Sequence, residues 1–331
     1  MVNTYSKAGV NISEGDRFVD IIKPLVKSTF STEVISGIGN FGAFFRISGK
    51  FKNPVFVAST DGVGTKIKIA ISARKYDTIG EDIVNHSVND IAVCGARPLF
   101  FLDYLAFGKL KSKIAVDIVK GLVRGCKKNY CSLIGGETAE MPGLYAPMDF
   151  DLAGTVIGVV ERKKIIDKKN VRKGDVLIGF PSTGLHTNGY SLARKVLLKK
   201  FKLNKKIPAI NNTLSAELLK VHRSYLDVIQ LLTNKFNIHS FSHITGGGII
   251  GNTKRVIPKG LNINIDWDTW KWPAIFRFIQ DEGKISFDEM KNVFNLGIGL
   301  IAVVNRKDVF KISTYLKKHK EKHFIIGNLT K

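Results

Sequence analysis

Residues 54–66 read Pro-Val-Phe-Val-Ala-Ser-Thr-Asp-Gly-Val-Gly-Thr-Lys. Pro54 to Thr60 has the length and apolar, β-branched content of a short buried strand, and it stops on Asp61. Two glycines then turn the chain into Lys66 to Arg74, whose apolar spacing suits a helix. A carboxylate, two glycines, a hydroxyl and an ammonium thus fall within six residues at the carboxyl end of a strand, where ligand sites of α/β sheets gather. A tight Asp-Gly turn bonding its own backbone is the plainer alternative.

The alternation continues outward from this segment. Gly80 to Val93 predicts a helix with Val84, Val88 and Ile91 on its apolar face, Gly95 as its cap and Asp90 off the stripe. Leu99 to Phe107, Ser132 to Ile134 and Leu152 to Val160 predict strands, with a helix at Ile114 to Lys127. Arg162 to Lys173 is charged and weakly periodic, and a new strand opens at Asp175 to Phe180. The second half predicts helices at Tyr190 to Lys200, Ala216 to Lys235, Ile249 to Val256 and Pro273 to Asp281, and strands at Leu261 to Ile265, Ile298 to Val304 and His323 to Ile326. The expected fold class is α/β (α+β), in two domains of residues 1–165 and 166–331, each a mixed β-sheet packed with helices.

The chain has 331 residues, enough for two cores, and its glycines are clustered rather than repetitive. Met1 to Asp16 lacks a continuous apolar stretch, and no apolar run approaches the length of a bilayer span, so no membrane partner is expected. Cys94, Cys126 and Cys131 lack a histidine at zinc-like spacing and read as small buried hydrophobes of a cytoplasmic chain. The net charge of +23 favours anionic partners without choosing among them. Its lysines are scattered, without aromatic interleaving, which argues against a specific nucleic acid and fits compositional drift.

Several stretches carry candidate chemistry. Gly37, Gly39 and Gly42, with Asn40 among them, let backbone amides converge on a phosphate, although no P-loop sequence follows and a surface turn would look the same. Asp61, Asp90 beside Asn89, and Glu137 within Gly135-Gly136-Glu137-Thr138 would together form an oxygen-only set suited to Mg²⁺, each beside residues that end an element. Lys66 would offset charge on a transferring phosphoryl group, with Gly62, Gly64 and Thr65 shaping the turn. His86, one turn before Asp90, is a ligand or proton carrier in one reading and an ordinary helical histidine in the other. His186 and Asn188, in Ser182 to Tyr190, offer hydrogen bonds between glycines, although Thr187 or Asn188 would equally cap a helix. His243, Thr245, Gly246, Gly247 and Gly248 repeat that pattern before a helix whose N-terminus attracts anions.

In order, GIGNFG at Gly37, DGVGTK at Asp61, NDI at Asn89, PLFFLDY at Pro98, LIGGETAEMPG at Leu133, STGLHTNGYSLAR at Ser182, HITGGG at His243 and FNLGIG at Phe294 resemble the phosphoribosylformylglycinamidine cyclo-ligase family from about Tyr5 to Gly327. The resemblance implies an ATP- and Mg²⁺-dependent ligase of purine biosynthesis acting on formylglycinamidine ribonucleotide. It implies a homodimer formed through the N-terminal sheet, ATP bound mainly by the N-terminal domain, and a C-terminal domain completing the substrate site. Lys66, Asp61 and His186 are the expected catalytic groups, with His186 moving protons. Cys94, Arg97 and His86 depart from the family pattern, the last standing where a sulfur or small residue is usual, and none of them is expected to touch the site residues. A kinase of the same superfamily and a basic nucleic-acid-binding ATPase are the competing readings.

Overall fold

The computed structural model describes residues 11–36, 38–48 and 51–331. Gly37 and Tyr5 lie outside the described residues. The chain divides into two compact units, the described residues up to Ile91 with Arg97–Arg162, and Ala92–Ala96 with Lys163–Lys331.

The first unit contains α1 (Ile12–Lys27), β1 (Pro54–Gly62), α2 (Lys66–Ala73), α3 (Asp77–Ala92), β2 (Arg97–Phe107), α4 (Ser112–Lys128), β3 (Ser132–Glu140) and β4 (Phe150–Glu161). Its sheet has the order β1-β4-β2-β3. β2 and β3 are parallel, joined across α4, whereas β4 runs antiparallel to both β1 and β2. The expected burial of Pro54 to Thr60 is corrected. β1 is an edge strand whose alternate residues are exposed, Phe56 at 58%, because a single helical layer covers only one face of the sheet. β3 is longer than expected, so the Gly-Gly-Glu-Thr stretch is strand rather than turn, and Glu137 lies inside the element instead of ending it.

The amphipathic pattern expected of α3 is not what the fold uses, because its polar residues Asp82, Asn85, His86, Ser87 and Asn89 are all buried. Glycine makes this possible. A Cβ at Gly80 would overlap the Ile118 carbonyl of α4, and one at Gly121 the Asp77 carbonyl, so the two helices approach backbone to backbone. Buried polar groups then need partners, and Asn85 Oδ1 accepts from Asn129 Nδ2 at 2.7 Å while the Ser87 hydroxyl donates to the Ile83 carbonyl at 2.9 Å.

The second unit contains β5 (Val176–Pro181), α5 (Tyr190–Leu197), β6 (Lys206–Ile207), β7 (Asn212–Thr213), α6 (Leu214–Leu218), α7 (Leu226–Thr233), β8 (Ser240–His243), α8 (Gly248–Arg255), β9 (Asn262–Ile265), α9 (Ala274–Gly283), α10 (Phe287–Val293), β10 (Ile298–Val304), α11 (Val309–Lys318) and β11 (Phe324–Thr330). Its main sheet has the order β8-β10-β5-β11-β9 and is antiparallel throughout. The interior strand β10 is buried at every position, as its unbroken apolar run requires.

The single helix expected over Ala216 to Lys235 is two, α6 and α7, separated by residues 219–225. Tertiary contacts override helix propensity there. Tyr190 Oη donates to the Leu218 carbonyl at 2.6 Å, Arg223 Nη1 to the Pro181 carbonyl at 3.1 Å, and Tyr225 Oη to the same carbonyl at 2.9 Å. The helices α1, α10 and α11 and the strand β8 carry no legible expectation. Cys126 and Cys131 are buried as anticipated, but Cys94 is only half-buried.

Candidate functional site

In the first unit, Ser59 and Asp61 are on the face of β1 turned toward α3, two residues apart as the strand period requires. The Ser59 hydroxyl lies 3.1 Å from Asp61 Oδ2 and 3.3 Å from Asp90 Oδ2, so one hydroxyl reaches both carboxylates. His86 Nε2 stands 3.6 Å from Asp61 Oδ1, and the residue is 6% exposed. The expectation that His86 touches no site residue is therefore corrected. The histidine faces β1 instead of solvent.

Lys66 lies in a buried ion pair. Its Nζ is 2.7 Å from Asp82 Oδ2, with both side chains fully withdrawn from solvent. Burial pulls the ammonium below its ordinary range although Asp82 opposes the shift. The ammonium is thus paired with α3 beneath the turn. Gly62, Gly64 and Thr65 remain exposed, with Gly64 at φ +68°, a conformation that favours glycine. Asn89 is wholly buried.

Glu137 does not join Asp61 and Asp90. Row by row, Asp61 pairs with Gly154, Gly154 with Asp103 and Asp103 with Gly136, whereas Glu137 pairs with Tyr104. Glu137 therefore projects from the opposite face, three strand spacings or about 14 Å across the sheet. The expected set of Asp61, Asp90 and Glu137 is therefore not brought together; Ser59, Asp61 and Asp90 present oxygen donors of the kind Mg²⁺ takes.

Glu137 instead lines a cavity of 630 Å³. Gly39, Asn40 and Gly42 form one wall, Gly135, Gly136 and Glu137 another, and Val19, Leu102 and Ile134 supply apolar surface. Two stretches distant in sequence are thus brought to one pocket of ligand size. Thr138 follows half-buried on the same strand. Asp103 also lines the cavity, and burial, with a further contribution from Glu137, pushes its carboxyl up to about 7. No sequence motif marked Asp103 as chemical, although it falls within PLFFLDY.

In the second unit the two glycine-flanked turns meet. A Cβ at Gly246 would lie 3.2 Å from Asn188 Oδ1. Asn252 holds one turn by donating to the carbonyls of Thr245, Gly246 and Gly248, at 3.3, 3.1 and 2.8 Å. Asn295 holds the other, donating to the Gly184 carbonyl and accepting from the Ser182 hydroxyl, each at 2.9 Å. Gly246 and Gly247 are exposed at the start of α8, and Gly248 is buried with φ +64°.

His186, at φ +62° and 1% exposed, accepts at Nε2 from the Thr183 and Arg223 amides, at 3.2 and 3.5 Å. That nitrogen serves the turn. Its ring stacks on His222, with centroids 3.9 Å apart, and His222 Nε2 is 3.0 Å from His243 Nε2, one donating and the other accepting. His222 is fully buried and sits outside every quoted motif, where only its position between α6 and α7 reveals it. A cavity of 470 Å³ lined by Trp267, Trp270, Trp272 and Phe287 contains none of the anticipated residues.

The chain matches the family described as AIR synthase related protein in both parts, the N-terminal domain over residues 42–160 and the C-terminal domain over residues 172–331. It is 49% identical over 331 residues to a phosphoribosylformylglycinamidine cyclo-ligase of Thermodesulfovibrio yellowstonii, covering 99% of this chain and 96% of that one. The corresponding protein of Geotalea daltonii is 50% identical over 99% of this chain and 95% of its own. Among solved structures, thiamine-monophosphate kinase from Stenotrophomonas maltophilia aligns with TM-score 0.71 at 16% identity over 93% of each chain. A hydrogenase maturation protein HypE in complex with ATP aligns with TM-score 0.62 at 16% identity, over 96% of this chain and 86% of that one. At such identities these structures are alike in fold.

Proposed function

Because the chain belongs to the phosphoribosylformylglycinamidine cyclo-ligase family, we propose that it converts formylglycinamidine ribonucleotide and ATP into 5-aminoimidazole ribonucleotide, ADP and phosphate in purine biosynthesis. The observation that carries this reading is near-half identity sustained along almost the whole chain. It favours ring closure over the kinase chemistry of the 16%-identical fold relative.

A formamide oxygen leaves badly until it is phosphorylated. In the proposed sequence that oxygen takes the γ-phosphoryl group of ATP, the neighbouring amidine nitrogen attacks the activated carbon, the five-membered ring closes and phosphate departs. Asp61 and Asp90, gathered by Ser59, would hold Mg²⁺, which supplies charge neutralisation to phosphoryl transfer. Gly39, Asn40, Gly42 and the strand from Gly135 to Thr138 would receive ATP, with the apolar wall taking its base.

Asn188 and the exposed Gly246 and Gly247 amides at the start of α8 suit the ribonucleotide and its phosphate. His186 acts as a positioning residue through the Thr183 and Arg223 amides, and His243 with Thr245 completes the substrate groups. Ring closure within one molecule gains chiefly from orientation, so such fixed turns suit it.

A homodimer through the outward face of the first unit's sheet accounts for the exposure of Phe56 and Tyr104 there, at 58% and 38%. Among the described residues no helix is long and apolar enough to cross a membrane. A cytoplasmic location suits the free thiols of Cys126 and Cys131. Purified protein supplied with formylglycinamidine ribonucleotide, ATP and Mg²⁺ is expected to yield ADP and a diazotisable aminoimidazole. ADP release without that product would favour a kinase or ATPase instead.

A further inference from the structure

We propose that the end of the second unit's sheet where β10 finishes binds a dianionic phosphoryl group, held between the buried imidazole of His239 and the ammonium groups of Lys235, Lys307 and Lys311. None of these residues belongs to the site proposed for ring closure.

Topology collects them. β10 runs antiparallel to β5 and β8, with Val304 opposite Val176 and Val303 opposite Ser240, so its carboxyl end lies beside the amino ends of both neighbours. Asp175 precedes β5, His239 precedes β8 and Lys307 follows β10, while Lys311 stands in the first turn of α11 and Lys235 just past α7. His239, the three lysines, Asp308 and Phe236 line one cavity of 450 Å³. That is room for a phosphate with a small organic group attached.

A carboxylate orients the imidazole. His239 is 8% exposed, and its Nδ1 lies 2.7 Å from Asp175 Oδ2, so that nitrogen carries a proton and donates it to the carboxylate. Asp175 is itself buried and accepts the Arg172 amide at 2.8 Å. The His239 amide donates to the Val303 carbonyl at 2.9 Å, which fixes the backbone as well. His239 lines the cavity and Asp175 does not, which leaves the opposite edge of the ring, with Nε2, on the cavity side. Among the described residues nothing bonds to Nε2. Neutral, that nitrogen accepts from a phosphate hydroxyl; protonated, it donates to a phosphate oxygen, with Asp175 stabilising the imidazolium.

Charge selects the ligand class. Lys235, Lys307 and Lys311 are exposed and form no ion pair among the described residues, although Asp308 lines the same cavity. Three ammonium groups against one carboxylate leave two positive charges, which a phosphoryl dianion matches and a single carboxylate does not.

The test uses full-length protein carrying ¹³Cε1-histidine, titrated at constant ionic strength with inorganic phosphate and with glycerol 3-phosphate, and read by ¹H–¹³C spectra and calorimetry. The His239 signal, identified by its loss in His239→Gln, is expected to shift saturably with a Kd of about 1 mM or below. The signal of His319, exposed beside Lys317, Lys318 and Lys320, should stay in place. Lys307→Ala/Lys311→Ala should weaken binding at least about tenfold. Tighter binding of the ester upholds the site and assigns it to a phosphorylated organic molecule, and tighter binding of phosphate upholds it for the free ion. A His239 signal unmoved at about 20 mM phosphate, or one that moves together with His319 as diffuse attraction would make it, overturns the proposal. An affinity unchanged in the double lysine variant overturns it equally. Both lysines are exposed, so calorimetry of that variant against wild type decides the question even if His239→Gln does not fold.

Discussion

Lys66 and Asp82 form an ion pair at 2.7 Å from which solvent is wholly excluded, joining the turn after β1 to the middle of α3. Neither partner can be removed alone without leaving a buried charge. Asp82→Ala is expected to cost about 3–5 kcal/mol in urea denaturation, while Lys66→Met/Asp82→Leu should recover most of that loss. Turnover in the double variant should stay within about tenfold of wild type if the pair is structural, and a collapse of activity in that folded variant would return Lys66 to the phosphate.

Asp61 and Asp90 meet at one hydroxyl and should therefore behave as a unit. Asp90→Asn and Asp61→Asn are each expected to lower Mg²⁺-dependent ATP turnover at least about a hundredfold, and the double variant little further. Steady-state assays of the four proteins give the coupling, and additive losses or an Asp90→Asn enzyme of wild-type rate would dissolve the site.

The Asp103 carboxyl, raised to about 7 from an ordinary value near 3.8, binds more protons in the folded than in the unfolded chain between those values. Its contribution to stability is therefore complete below pH 3.8 and declines as pH rises through 7. Asp103→Asn should gain on the order of 1–3 kcal/mol over wild type at pH 8, with the difference shrinking toward pH 5. Melting curves at the two values test the sign, and an advantage of Asp103→Asn over wild type that grows on acidification would contradict it.

His186 closes its turn through two backbone amides, so its loss should disturb catalysis more than nucleotide binding. His186→Ala is expected to reduce turnover by about 10²–10³-fold with the KM for ATP within about threefold. An unchanged rate would end its part in the reaction.

The outward face of the first unit's sheet offers Phe56 to solvent. Sedimentation velocity is expected to find a dimer, and Phe56→Lys to shift it toward monomer by at least about tenfold in dissociation constant. A monomeric wild type at micromolar concentration would remove the proposed interface.

Local pattern was enough for the elements that rest on a single period. Pro54 to Gly62, Lys66 to Ala73, β10 and most of the first unit's helices are readable because apolar spacing and glycine punctuation act within a few residues. The same locality placed Asp61 at a strand end and Asn188 between glycines. Pattern failed where long-range contact decided the backbone, as at residues 219–225, drawn out of helix by Tyr190 and Pro181, and in β8, too short to carry a period.

What the order of residues determined by itself was the family, the two α/β halves and the turns that carry polar groups, since these depend on neighbours along the chain. Which carboxylates share a point was decided only by tertiary structure. Sheet order sets Glu137 on the far edge and opposite face from Asp61, while α3, buried through the close approach at Gly80 and Gly121, turns Asp82 to Lys66 and His86 to Asp61. Those pairings follow from strand order, facing and helix contact, which no spacing along one chain encodes.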